Sequence, residues 1–207
     1  MPHSTNTVFQ FAAAIAVILT LSSPSLAQQP PASIVRGEIL GVEGKTITIK
    51  TRDDRNVAVE LTDKTAIVGL RKISLTDIKP NAFVGVASVP EASGAQTAVS
   101  VHLFPEAARG TNEGSRPYDV RPNSSMTNGA VADQVKNNDG AELTIKYTDG
   151  EKKVAVTPQT SIVAFEPGKV AELKSGAKVV VNVRQPGEGP REAVRFLVGR
   201  DGVTPAL

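Results

Sequence analysis

The chain has 207 residues, with 23 Lys and Arg against 21 Asp and Glu for a net charge of +2, and it contains neither Cys nor Trp. Without Cys there can be no disulfide, thiolate metal site or thiol nucleophile. The near balance of charge gives no reason to expect nucleic acid or anionic lipid as a partner.

In chain order, Phe9 to Leu21 is an apolar run of roughly a dozen residues, too short to span a membrane. It is followed by Ser22-Ser23-Pro24 and the small-residue pattern Ser25-Leu26-Ala27. This predicts a signal peptide over residues 1–27, cleaved after Ala27, and a periplasmic or secreted bacterial protein. No Lys or Arg precedes the apolar run, so the usual positive leader is missing and a retained N-terminal anchor is the alternative. A lipid anchor is excluded because no Cys lies near position 27.

The rest of the chain is written twice. Residues 56–104 match residues 151–199 at a shift of 95 positions, pairing Val59 with Val154, Thr62 with Thr157, Thr65 with Thr160, Lys79 with Lys174, Val84 with Val179 and Ala98 with Ala193. The stretch Val35 to Ile49 is aligned with Val131 to Ile145 at a shift of 96, one turn residue making the difference. A gapless register of this length predicts a tandem pair of one fold. Each copy has about 70 residues, a marginal core, so the copies are expected to bury surface against each other.

Within a copy, Ile47, Ile49 and Thr51 alternate with polar neighbours, as do Val57, Val59 and Leu61, the period of strands with one buried face. Leu143, Ile145 and Tyr147, then Val154 and Val156, do the same in the second copy. Asp139-Gly140 and Asp149-Gly150 supply its tight turns. A short strand follows (66–70 or 161–165), then one or two helical turns, capped by Ser74 in the first copy and spanning Pro167 to Leu173 in the second. Strands at 83–89 and 97–104, or 178–184 and 192–198, close each copy. The expected fold is all-β: two tandem, OB-like, five-stranded barrels, each with a short helical turn, over 33–104 and 127–199. An inter-repeat loop over 105–126 and a tail over 200–207 complete the chain. Val59, Ile67 and Val84, with Val154, Ile162 and Val179, are the predicted core.

The G-containing hairpin, alternating strand, Thr-x-Ile/Val element and final Ala-Val strand resemble the bacterial exported domain-of-unknown-function family numbered 5666. The linker Phe104-Pro105-Glu106-Ala107-Ala108-Arg109-Gly110 with Ser125-Met126-Thr127-Asn128 resembles that of its two-repeat members. Some of those relatives carry labels implying a metal transporter permease. A single apolar segment of signal length does not support that for this chain. The resemblance implies no catalytic residues.

Gly44-Lys45-Thr46 lacks the upstream Gly and following helix of a phosphate-binding loop and reads as a hairpin turn. Ser175-Gly176-Ala177-Lys178 has Ser-x-x-Lys spacing without the partner motifs of penicillin-binding enzymes and also reads as a turn. His102 is the one histidine beyond residue 27, and its counterpart is Leu197. A lone strand histidine reads as a packed residue before it reads as a metal ligand. No catalytic, cofactor or metal residues are assigned.

The segment Pro105 to Met126 is unexplained by the repeat. It carries Glu106, Arg109, Glu113, Arg116, Tyr118, Asp119 and Arg121, with Gly and Pro opposing a regular element. Those seven form the candidate interaction loop, because Arg and Tyr are recognition residues that a plain spacer does not need. The expectation is a non-enzymatic binding or scaffold module facing an envelope protein or cell-wall component. OB-type oligosaccharide or nucleic-acid binding and periplasmic metal handling are the alternatives.

Overall fold

A computed structural model describes residues 33–137 and 140–205. The expected signal peptide over 1–27 and the Asp139 turn position lie outside the described residues. No helix among the described residues is long and apolar enough to cross a membrane.

The described chain is nearly all β, with thirteen strands in one connected sheet. Residues 33–104, the first copy of the expected repeat, supply β1 (Ser33–Glu43), β2 (Thr46–Thr51), β3 (Asn56–Glu60), β4 (Ala66–Lys72), β5 (Phe83–Pro90) and β6 (Gln96–Leu103). A connector contributes β7 (Gly114–Pro117), and the second copy supplies β8 (Ser125–Asn137), β9 (Gly140–Tyr147), β10 (Gly150–Val156), β11 (Ser161–Pro167), β12 (Lys178–Arg184) and β13 (Glu192–Gly199). Single 3-10 turns follow β4 and β11, at Leu75–Asp77 and Val170–Glu172. Ser74 caps the first as expected: its hydroxyl accepts from the Thr76 amide, and Asp77 accepts from the Ser74 amide at 2.8 Å.

The five strands expected to close a barrel within each copy do not close within that copy. β1, β2 and β3 form a meander whose free sides are met by β12 and β13 of the second copy: β1 pairs with β12, β12 with β13, and β13 touches β3 at Glu192 and Glu60. Reciprocally, β8, β9 and β10 are joined by β5 and β6 of the first copy, with β10 meeting β6 at Ala155 and Thr97. Each pairing circuit therefore takes three strands from one copy and two from the other, and residues 33–104 alone close neither. The two main cores are mixed in the same way. Ile39, Ile47, Ile49 and Val59 pack with Val179, Val181, Val183 and Phe196. Leu143, Ile145, Val154 and Val156 pack with Val84, Val86 and Val101.

β4 and β11 belong to neither circuit and form the seam between them. They pair antiparallel, with Leu70 opposite Phe165, its own counterpart, so an approximate two-fold axis passes between these residues. Repeat-matched bonds tie the halves together. The Thr65 hydroxyl donates to the Ala193 carbonyl at 2.7 Å, and the Thr160 hydroxyl donates to the Ala98 carbonyl at 2.8 Å. Both threonines also accept from a backbone amide three residues earlier, at Thr62 and Thr157. The shared Thr-x-x-Thr spacing is thus a clasp between copies.

The structure also corrects the alignment of the first strand. β1 is bulged between Ile39 and Gly41 and β8 between Val131 and Asp133, and Val35 faces Val181 as Thr127 faces Val86. These equivalences require a shift of 92 positions, not 96. Gly37 and Gly129 match on this register, and a Cβ at either would sit 2.0 or 2.4 Å from a carbonyl oxygen, of Lys50 or Lys146. The second copy carries its extra residues in the β8–β9 hairpin.

Val59, Val84, Val154 and Val179 are buried as expected. Ile67 and Ile162 are only partly buried, because they sit on the seam strands at the edge of the cores. The expected C-terminal tail docks on the seam through 205: the Arg200 amide donates to the Leu70 carbonyl, and its guanidinium pairs with Glu166 and Glu172.

Candidate functional site

The connector is ordered across the seam, and it contains the regular element that its Gly and Pro content argued against. Gly114 and Pro117 bound β7, which pairs with Ser125–Asn128 of β8. Gly114 takes φ of 114°, a conformation open to glycine, and Pro117 ends the ladder where its missing N–H costs nothing.

The connector's predicted residues are largely spent on the protein itself. Arg36 of β1 bonds both carboxylate oxygens of Asp119, at 3.1 and 2.7 Å, and donates to the Tyr118 hydroxyl at 3.3 Å. Burial raises the Tyr118 phenol above its ordinary pKa, opposed by that bond from Arg36. Arg109 forks onto Glu106, donates to the Asn81 carbonyl and lies 5.9 Å from the Phe83 ring centroid. Glu113 accepts from Thr148, and Arg116 donates to the Asn112 carbonyl at 2.8 Å. Arg121 contributes backbone bonds to Ser124. Of the seven, only Arg116 and Tyr118 line a cavity at the seam, and Asp119 lines a shallower one outside it.

That cavity, about 230 Å³, lies between the circuits and under the connector. His102 forms part of its wall. The imidazole is fully buried, stacked on Phe165 with centroids 5.6 Å apart, and its Nδ1 faces the Gly85 carbonyl at 3.3 Å. Desolvation pushes its pKa down to about 4, against the opposing bond to Gly85. Because the carbonyl can only accept, Nδ1 carries the proton and Nε2 is left as an acceptor.

Asn128, 3% exposed, completes this wall. Its Nδ2 donates to the Thr111 carbonyl at 2.9 Å, while its Oδ1 has no partner among the described residues. Gly85 makes room for it, since a Cβ there would lie 2.8 Å from Oδ1. The second unpartnered buried side-chain atom, Ser100 Oγ, is on β6, two residues before His102.

The copies differ at these positions. Gly85, Ser100 and His102 stand where the second copy has Val180, Arg195 and Leu197, and Asn128 stands where the first has Arg36. An apolar trough of about 390 Å³ adjoins the chamber and shares Phe104, Thr111, Phe165, Arg195 and Leu197 with it. Sequence reasoning noted the His102/Leu197 mismatch but missed Gly85, Asn128 and Arg195. The signal for Gly85 was its mismatch with Val180, and that for Asn128 was hidden by the misplaced register.

Among the described residues, no three His, Cys, Asp or Glu side chains gather as a metal site. Comparisons with family models, curated proteins and solved structures find no match for this chain.

Proposed function

We propose that the protein is an exported, non-enzymatic binding module of the bacterial envelope that takes its ligand in the seam cleft. On this reading the chain is a tandem duplication, and each pairing circuit is a small OB-like barrel completed by strands of the other copy. One observation carries the functional reading. The larger cavity adjoins one where Gly85 and the buried His102 stand in place of Val180 and Leu197, and where the buried Asn128 Oδ1 has no partner among the described residues. The connector then acts as a fixed roof, its charges used to hold it over the cleft.

Native mass spectrometry of the protein recovered from envelope fractions tests this. The wild type is expected to carry a small molecule that Thr111→Trp, an exposed change lining both cavities, excludes. Identical unliganded masses for both proteins would overturn the reading.

A further inference from the structure

Resting on that reading of the seam, we propose that the polar chamber holds the head of an amphipathic hydroxy-carboxylate whose hydrocarbon lies in the adjoining trough. The charge of the head follows from the walls. Arg116 enters from the connector and Arg195 from β13, and neither forms an ion pair among the described residues. No Asp or Glu lines the chamber. Two guanidiniums facing one cavity without a carboxylate favour an anion, and their planar forks suit a carboxylate. Tyr118 also lines the chamber, its hydroxyl accepting from Arg36.

The hydroxyl follows from His102 and Asn128, which line the same chamber. His102 Nε2 and Asn128 Oδ1 are both acceptors, fixed in that role by the bonds their partner atoms make to the Gly85 and Thr111 carbonyls. Asn128 Oδ1 is buried without a donor among the described residues, a cost in free energy that a ligand donor recovers. An ammonium would supply the donor, but it would sit against two guanidiniums with no counter-charge. A neutral hydroxyl avoids that repulsion.

The hydrocarbon follows from the trough, walled by Val68, Phe104, Pro105, Phe165 and Leu197. Phe104 and Phe165 meet edge to face at 4.8 Å, and Phe165 also carries His102, so one aromatic unit spans both cavities. The single acid of the trough, Glu166, is neutralised by Arg71 and Arg200. A chamber of about 230 Å³ suits a compact head, and the trough of about 390 Å³ suits a chain longer than a few methylenes.

Isothermal titration with 3-hydroxydecanoate, decanoate and 3-hydroxybutyrate below their aggregation concentrations tests the proposal. 3-Hydroxydecanoate is expected to bind roughly tenfold more tightly than decanoate, the effect of one donor on a buried acceptor. It should also exceed 3-hydroxybutyrate, which has the head without the tail. Asn128→Leu should remove the preference over decanoate, and His102→Leu, which restores the residue of the matching position, serves as a second variant if the first does not fold. Arg116→Glu should weaken both long acids alike. Equal affinities for 3-hydroxydecanoate and decanoate, no binding of either, or a preference that survives both wall variants would overturn the assignment. Failure of the acids while the envelope-derived ligand is still recovered would refute the ligand class and leave the cleft standing.

Discussion

Lowering the pH should destabilise the protein through His102 before any carboxylate is involved. The imidazole is neutral in the folded state with a pKa of about 4, while an unfolded chain protonates it near 6.5. Between these values the unfolded state binds more protons, so stability is complete above about pH 6.5 and falls as pH falls towards 4. Each unit of pKa difference is worth about 1.4 kcal/mol, so the loss is about 2 kcal/mol at pH 5 and about 3 kcal/mol once pH 4 is passed. The carboxylates held low by their partners, Glu166 by Arg71, Glu172 by Arg200, Glu106 by Arg109 and Asp53 by Thr51 and Arg55, add their losses only below their ordinary range. Urea unfolding at pH 7.5, 6 and 5 therefore isolates the histidine. The wild type should lose about 2 kcal/mol across that range, and His102→Leu should be nearly flat. Parallel profiles for the two proteins, or an imidazole resonance titrating near 6.5 in the folded state, would refute the burial argument.

Thr65→Val and Thr160→Val should each cost about 1–2 kcal/mol in chemical denaturation, because each strands a carbonyl of the other copy. Gly129→Ala and Gly37→Ala should each cost at least about 2 kcal/mol by thermal unfolding, since the new methyl meets a carbonyl oxygen of the facing strand and the backbone must shift. A chain cut between Gly110 and Thr111 should give halves that fold only together, recovered as a one-to-one complex by co-expression and size exclusion. A folded, monomeric 33–110 fragment would contradict the exchanged pairing.

Much of the fold was legible because burial patterns recur. The alternation at Ile47, Ile49, Val57 and Val59 marks strands with one covered face, and the structure covers that face. What alternation cannot say is which segment does the covering. Val84 and Val86 suit either meander, and the choice between copies is made by seam bonds such as Thr160 to Ala98 that leave no periodic trace. The first strand was misplaced because a lengthened hairpin shifts the register without altering composition, and a loose match of Val35 to Val131 concealed the paired glycines 37 and 129. At the site, Arg and Tyr in the connector drew notice as recognition residues, yet most are bonded to their own chain. The group left unsatisfied there, Asn128 Oδ1, belongs to a residue that is ordinary in sequence and becomes informative only through burial.

The exchange of strands about an approximate two-fold axis is the arrangement that two identical half-length subunits would adopt as a dimer. In such a dimer every substitution occurs twice, so a glycine or histidine introduced beside the axis would hollow both sides of the interface at once. Joining the halves in one polypeptide removes that obligation. Val180 and Leu197 can give the chamber bulky apolar lining from one half while Gly85, His102 and Asn128 give it small or polar lining from the other. The connector that joins the copies thereby makes an asymmetric chamber affordable in a scaffold whose remaining contacts are nearly symmetric.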